Sequence, residues 1–378
     1  MAQSVAYVTG FETGDASEVN SLGGSCTIQS TTKRTGGYAL QVAQSSGVTI
    51  FVTGLAATQS VFHGYVRFSG TVGSGTPSFV REAPSSGTAR LTLAAASTMK
   101  LTISDNGSSL GLGSVTGSTV LVANTWYCIE VALDLAAGGV VKVWIDGVSE
   151  ISTTHTTNAT ANPIDRWQTN NGPSDGINIF LDDIRIDTGG AAQIGAGQGI
   201  ARQGIPGTPT YDAWTKNGAA TAALCWSDTP VNTATNCSDT SLSAFQTMLI
   251  NTFANDPGIV AEGTQVIGLS DTINAVKVML IGKSSVVAGG AGAFNIRSRV
   301  GGVDTDSAKT FTTSDAFYST LLASIPSYTN LNAMEAGAGH GGVAATQTVE
   351  DVWVYVDYTP AAVKTSPTRG LLLMGFGH

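Results

Sequence analysis

The chain has 378 residues, enough for two domains. Charged residues are 12% of it, hydrophobic residues 42%, and 46 are glycine; a charged share about half the usual one points to a β-rich extracellular or particle-bound protein and excludes a disordered tail. Its 18 Lys and Arg against 27 Asp and Glu leave a formal charge of −9. The basic residues are scattered, which excludes a phosphate-binding groove and with it a nucleic-acid partner.

Met1-Ala2-Gln3-Ser4 lacks a basic n-region and no apolar h-region follows, so no secretory leader is expected. No run of about 18 apolar residues occurs, so no transmembrane helix and no membrane insertion are expected. Residues 1–188 read as one all-β unit. Short β-forming runs recur between Gly, Ser, Thr and Asn clusters: Val5 to Val8, Cys26 to Gln29, Tyr38 to Val42, Val48 to Val52, Val61 to Phe68, Ser78 to Arg81, Ala89 to Leu93 and Met99 to Ile103. Phe62, Tyr65 and Phe68 do not share one parity, which predicts a bulge near Gly64. Trp126 to Leu133 and Val140 to Ile145 form an apolar strand pair, Asp146-Gly147 supplies a tight hairpin turn, and Val148 to Ile151 returns antiparallel. Ile177 to Ile186 closes the unit. Strands this apolar need a second sheet to cover them, which predicts a β-sandwich.

Residues 189–209 are a Gly- and Ala-rich connector ending in Pro206 and Pro209. Gly195-x-Gly197-x-Gly199 has no strand–helix context, so it reads as a flexible or draped linker rather than a phosphate loop. Residues 210–360 form a second β-rich unit. Leu242, Phe245, Met248, Leu249 and Phe253 fall at roughly helical spacing and predict a short amphipathic helix or irregular turn over Ser241 to Phe253. Strands are expected at Thr264 to Leu269, Ile273 to Ile281, Ala293 to Val300 and Val352 to Tyr358, with a helical turn at Ala316 to Leu322. The last strand alternates cleanly, Val352, Val354 and Val356 facing one way and Trp353, Tyr355 and Asp357 the other. Residues 361–378 form a C-terminal arm. Its apolar Leu371, Leu372, Leu373, Met374 and Phe376 have no neighbouring partner in sequence; they either complete their own domain or lock onto a neighbouring subunit.

Several ordered pieces carry a resemblance: Gly10-Phe11-Glu12-Thr13-Gly14, Gly37-Tyr38-Ala39-Leu40-Gln41-Val42, Trp126-Tyr127 with Glu130, Val143-Trp144-Ile145-Asp146-Gly147 and Phe180-Leu181-Asp182-Asp183-Ile184-Arg185-Ile186. In order and spacing they resemble concanavalin-A-like (laminin-G-like) jelly rolls over the first half of the chain, which implies a mostly β fold opening on that sandwich. The fold hosts lectins, glucanases and inert particle domains alike. In the second half, Tyr211-Asp212-Ala213-Trp214-Thr215-Lys216, Trp226-Ser227-Asp228-Thr229-Pro230, Thr272-Ile273-Asn274-Ala275-Val276-Lys277-Val278 and the closing Val352 to Tyr358 resemble a domain of tailed-bacteriophage structural proteins.

No catalytic constellation is apparent. Glucanases of the jelly-roll kind align two Glu and an Asp on one strand face, and no such run exists here; no Gly-x-Ser-x-Gly elbow occurs either. Asp182-Asp183 with Asp187 reads as strand-end solvation or a salt bridge, the alternative being a calcium site on Asp182 or Asp183. No Cys-x-x-Cys occurs and the four histidines lie far apart, so no zinc site and no cofactor are expected. Cys225 and Cys237 are a candidate disulfide around WSDTPVNTATN, disfavoured if the chain is made in a cytoplasm. Cys128 reads as a buried thiol. Glycan binding needs aromatic platforms beside hydrogen-bonding groups, and Trp167 with Asn170 and Asn171, in a polar loop, are the candidates; the alternative is that Trp167 caps the sandwich end.

These readings converge on a non-enzymatic surface protein of a phage virion, made without a leader and assembled with copies of itself and other virion proteins. Capsid decoration or a head-associated role stands first, a tail-fibre or tail-tip adhesin for host surface glycan second, and a glycan-cleaving enzyme third.

Overall fold

The computed structural model describes residues 3–361 apart from 12–13, 15, 25, 35–36, 44–47, 74–76, 86, 107–109, 158, 171–176, 196–197, 203–207, 218–225, 227–235, 240–244, 251–266, 268, 286–292, 341–344 and 360. The described part is mostly β and antiparallel, as the composition predicts. No helix among the described residues is long and apolar enough to cross a membrane.

The N-terminal sandwich is built from β1 (Ser4–Thr9), β2 (Cys26–Gln29), β3 (Ala39–Val42), β4 (Thr49–Val52), β5 (Gln59–Phe68), β6 (Ser78–Ala83) and β7 (Leu91–Ala95). It continues through β8 (Lys100–Asp105), β9 (Ser114–Val120), β10 (Trp126–Asp134), β11 (Val140–Ile145), β12 (Val148–Thr154), β13 (Arg166–Thr169) and β14 (Ile179–Thr188). One sheet runs β12-β11-β10-β5-β14-β3-β2, with β1 also on β14; the facing sheet runs β4-β13-β6-β7-β8-β9. The organising hairpin forms as read. Asp146 and Gly147 take φ of 48° and 83°, the two positive values of a tight turn whose twist matches the strands it joins. Inward parity gathers Phe62, Val66 and Phe68 of β5, Ile129, Val131 and Leu133 of β10, and Leu91, Leu93, Leu101 and Ile103 of the opposite sheet into one core.

The bulge is displaced from its expected place. Strand β5 keeps its parity through Gly64, with Phe62 and Phe68 inward and Tyr65 outward. The extra residues lie in β14, between Asp182 and Arg185, opposite Gly64, where Asp183 takes φ of 47°.

The second unit comprises β15 (Gln198–Arg202), β16 (Thr215–Asn217), β17 (Asn236–Asp239), β18 (Phe245–Ile250), β19 (Thr272–Ser284), β20 (Ala293–Val300), β21 (Val303–Thr310), β22 (Ala316–Leu321), α1 (Tyr328–Asn332), β23 (Met334–His340) and β24 (Gln347–Thr359). One sheet runs β16-β17-β24-β19-β22 with β15 on β24; the other runs β18-β23-β20-β21. Three expectations are corrected. The helical spacing over 241–253 gives way to β18, because Phe245 to Ile250 pair along their length with Met334 to Gly339 of β23. The helical turn at 316–322 is β22, paired with Lys277 to Gly282 of β19. The connector is not wholly flexible: Gln198 to Arg202 pair as β15 with Val354 to Tyr358. The strand expected at 264–269 falls mostly on residues outside those described, as does the arm beyond Ala361 with Leu371, Leu372, Leu373, Met374 and Phe376.

The clean alternation of β24 has a structural meaning. Val352, Val354 and Val356 enter the core of the second unit, while Trp353 and Tyr355 point the other way and pack with Val8 of β1 and with Ala275 and Met279 of β19. Lys277, also fully buried, donates its Nζ to the Val8 carbonyl at 2.7 Å, and Arg185 pairs with Asp357 at 3.1 Å. Each buried charge in this seam has a partner, without which burial would cost several kcal/mol.

Glycine spacing fixes the β18–β23 pair. A Cβ on Gly337 would sit 2.1 Å from the Gln246 carbonyl oxygen, which belongs to backbone and cannot swing away. Gly337→Ala is therefore expected to force the two strands apart and lower stability by about 1–3 kcal/mol, the usual cost of overpacking. Urea unfolding followed by tryptophan fluorescence reads this; an unchanged midpoint would refute the close approach.

Candidate functional site

The run Arg166-Trp167-Gln168-Thr169-Asn170 was expected to be a polar loop, and the structure makes its core a strand. Strand β13 lies inside the six-stranded sheet, between β4 and β6. Side chains on a strand alternate between faces. Trp167 and Thr169 point into the sandwich, both fully buried, while Arg166 and Asn170 keep partial exposure on the other face with Gln168 between them. Trp167 packs on Phe62 with ring centroids 5.7 Å apart and donates its indole N–H to Ser60 Oγ at 2.9 Å. It offers no face to a saccharide, which corrects the platform reading. Asn170 stays on the outer face and Asn171 lies outside the described residues.

The strand register defines what shares that outer face. Gln168 stands opposite Ile50 of β4 on one side and Arg81 of β6 on the other. Arg81 stands opposite Thr92 of β7, Thr92 opposite Ser104 of β8, and Ser104 opposite Ser114 of β9. Directly opposed residues project to the same side, so Ile50, Gln168, Arg81, Thr92, Ser104 and Ser114 form one row across all six strands. At about 4.8 Å per strand the row spans roughly 24 Å. A second row alongside it holds Ser78, Ala94, Thr102 and Thr116, the last two joined hydroxyl to hydroxyl at 2.9 Å.

Arg81 is the centre of this surface. Its side chain is half-buried, and its Nε is shielded from solvent without a hydrogen-bond partner. Burial pulls the guanidinium below its ordinary value. Among the described residues no carboxylate pairs with it, in contrast to Arg90, which meets Glu82 inside the sandwich, and Arg34, which meets Asp183 at 2.7 Å. Arg166, at the row's flank, is already engaged by the Pro84 and Ser85 carbonyls and by Asp165. Gln168 is itself buried; the surface thus offers hydroxyls and one unpaired guanidinium, a set suited to hydroxyl-rich or carboxylate-bearing ligands.

The remaining candidates resolve as follows. Asp182 accepts the Arg34 backbone N–H at 2.8 Å and Asp183 is ion-paired with Arg34, so the pair acts as the salt bridge of the two readings. Cys237 is buried in β17 and Cys225 lies outside the described residues. The histidines lie far apart in sequence, yet His63 comes together with Cys128 and Glu130 on the other sheet.

No family model matches the chain, and no curated protein matches it. Among solved structures, the cellulose induced protein Cip1 is similar at 16% identity over 50% of this chain and 100% of that one, with a TM-score of 0.38. The endo-β-1,4-glucuronan lyase of Trichoderma reesei is similar at 12% identity over 46% and 93%, with a TM-score of 0.38. Domain 4 of AbnA, an extracellular arabinanase of Geobacillus stearothermophilus solved with arabinotriose, is similar at 15% over 51% and 96%, with a TM-score of 0.36. By name these are carbohydrate-associated proteins. At such identities and TM-scores they are no guide to ligand or activity here.

The placement of Trp167 has a measurable consequence. Trp167→Ala is expected to destabilise the sandwich by about 3–5 kcal/mol, as for other buried aromatics. Trp167→Phe keeps the contact with Phe62 but loses the bond to Ser60, costing about 1 kcal/mol plus the lost ring volume. Denaturant unfolding of the two variants distinguishes this from a surface tryptophan, whose removal changes stability by no more than about 0.5 kcal/mol.

Proposed function

We propose that the protein is a non-enzymatic glycan-binding protein, and that it binds on the outer face of the sheet β4-β13-β6-β7-β8-β9. The observation that carries this is the row Ile50, Gln168, Arg81, Thr92, Ser104 and Ser114, with Arg81 unpaired at its centre. A sugar carboxylate would complete the guanidinium by charge-assisted bonds, and the flanking hydroxyls match ring hydroxyls. The only apolar member is Ile50, so recognition rests on hydrogen bonds and charge rather than on aromatic stacking. No carboxylate stands in the row, whereas glycoside hydrolysis needs a pair of them across the scissile bond, and this supports binding rather than cleavage.

The setting we propose is a tailed-phage virion, on the resemblance of the second unit, with the chain acting as a tail-fibre or tail-tip adhesin assembled from several copies. The capsid-decoration role assigned its contacts to Leu371 to Phe376, which lie outside the described residues, while the adhesin role draws on a surface the described residues do present.

An immobilised panel of acidic and neutral glycans tests the proposal. The wild-type chain is expected to bind acidic members. Arg81→Ala should weaken that binding about 10- to 100-fold, the loss of a charged hydrogen bond of about 1.5–3 kcal/mol, with an unchanged unfolding midpoint. Thr92→Ala with Ser104→Ala should weaken it further. Binding that survives Arg81→Ala intact would refute this face as the site, and a wild-type chain that binds no member would refute the adhesin.

A further inference from the structure

On the opposite sheet, β5 and β10 run antiparallel and place His63 directly across from Glu130 and Tyr65 across from Cys128. Successive odd positions of β5 and even positions of β10 face outward from the core, so His63, Cys128 and Glu130 converge on one side of two neighbouring strands. All three are buried. Cys128 Sγ lies 3.7 Å from His63 Nδ1, and Glu130 Oε1 lies 3.6 Å from the same nitrogen. One ligand atom from each of the three falls within 4.8 Å of the others.

The cover over this group comes from the connector. The Ile194 and Gly195 amides donate to Glu130 Oε1 at 2.8 and 2.9 Å, and Ala191 and Ile194 pack on Val61, Ala132 and Trp144 of the same sheet face. These contacts satisfy only one carboxylate oxygen. Glu130 Oε2 and His63 Nε2 are buried with no hydrogen-bond partner among the described residues. The atoms that face one another are Nδ1, Sγ and Oε1, and their spacing is what bears on an ion.

We propose that His63, Cys128 and Glu130 form a zinc site that closes beneath the connector. The donor set is a thiolate, an imidazole and a carboxylate, the three ligand types that zinc takes from proteins. Tetrahedral zinc, with Zn–S of about 2.3 Å and Zn–N and Zn–O of about 2.0–2.1 Å, sets sulfur and nitrogen roughly 3.5 Å apart and nitrogen and oxygen roughly 3.3 Å apart. The separations seen here are within a few tenths of an ångström of both. Three protein ligands leave the fourth position to a water. On binding, the Cys128 thiol loses its proton to solvent as the Zn–S bond forms, and His63 coordinates as the neutral imidazole. Because Glu130 also holds the connector amides, the metal would fasten the connector to the sandwich next to Arg185, which stands opposite His63 in β14 and pairs with Asp357 of the second unit. The site is separate from the glycan face and does not depend on that reading.

The test uses the full chain, refolded from denaturant with one equivalent of cobalt, since a buried site fills as the fold closes. The expected result is the near-ultraviolet thiolate-to-cobalt band together with the intense visible bands of tetrahedral cobalt, both removed by one equivalent of zinc. Cys128→Ser should abolish the thiolate band, and Glu130→Gln should weaken the visible bands and release cobalt to a mild chelator. A wild-type chain that refolds without either band overturns the site, as does a band that persists in Cys128→Ser, which would assign it to another cysteine. Should the variants not fold, X-ray absorption at the zinc edge of the wild-type chain decides the matter unaided: one sulfur among nitrogen and oxygen neighbours is expected, and a shell of oxygen alone overturns the proposal.

Discussion

The arrangement of the molecule depends on covering the second face of β24. That strand is apolar on both sides, and the core of its own unit takes Val349, Val352, Val354, Val356 and Tyr358. Trp353 and Tyr355 would form an exposed aromatic patch if the second unit stood alone. They are instead 2% and 1% exposed, because β1 of the first sandwich lies against them through Val8. The approach is close enough that a Cβ on Gly10 would meet the Tyr355 ring at 2.7 Å. A seam built in this way also imposes charge pairing. Lys277 is buried with its amine on the Val8 carbonyl, and burial holds its pKa below the usual lysine range. Asp357 is pushed up by burial and drawn back by Arg185. The connector follows the same logic: it lies on the first sandwich up to Gly195, then supplies β15 to the free edge of β24.

Where a segment's own periodicity matched its burial, the sequence was a sufficient guide. The apolar runs of β5, β10 and β11, the Asp146-Gly147 turn and the alternation of β24 all express a strand with a defined inner face. Legibility failed where a partner far away in sequence decided the outcome. Phe245, Met248 and Leu249 have helical spacing, yet Gln246 and Thr247 between them are also fully buried. They can be, because glycines at 337 and 339 leave β23 bare enough for β18 to lie against it. The residues of β22 are half-exposed along their length and carry little pattern at all. The short α1 escaped notice for a different reason. Its Ser327 cap, accepting from the Asn330 amide, is a local signal that a five-residue helix barely extends.

The candidate sites were the least legible part. A polar strand in mid-sheet looks like a loop when read alone, which is why Arg166 to Asn170 read as one and why Trp167 stays open between a surface platform and a cap on the sandwich end. The row through Arg81 comes from six strands spread between Ile50 and Gln168, and nothing local marks its members as neighbours. His63 and Glu130 are directly opposed across two strands, yet 67 positions separate them in the chain. Cys128-x-Glu130 does hint at a shared face. The histidine that completes the group becomes visible only once the register is known.

The two outer faces of the N-terminal sandwich differ, and the difference favours the proposed binding side. The outer face of the β5–β10–β14 sheet is taken up by the connector, by the seam with the second unit and by buried groups such as Glu130, Arg185 and Asp187. Glu130 Oε1, Arg185 and Asp187 serve internal contacts there. The outer face of the other sheet carries Thr92, Ser104, Ser114, Thr102 and Thr116 with partial or full exposure, and Arg81 without a counter-charge. In a chain with a net charge of −9 and only 18 basic residues, acids are the commoner partner for any arginine, and Arg34, Arg90, Arg185, Arg297 and Arg299 each have one. Leaving Arg81 unpaired in the middle of a polar row forgoes such an ion pair and leaves its buried Nε unsatisfied, a cost in stability. A ligand carrying the missing acceptor would recover it.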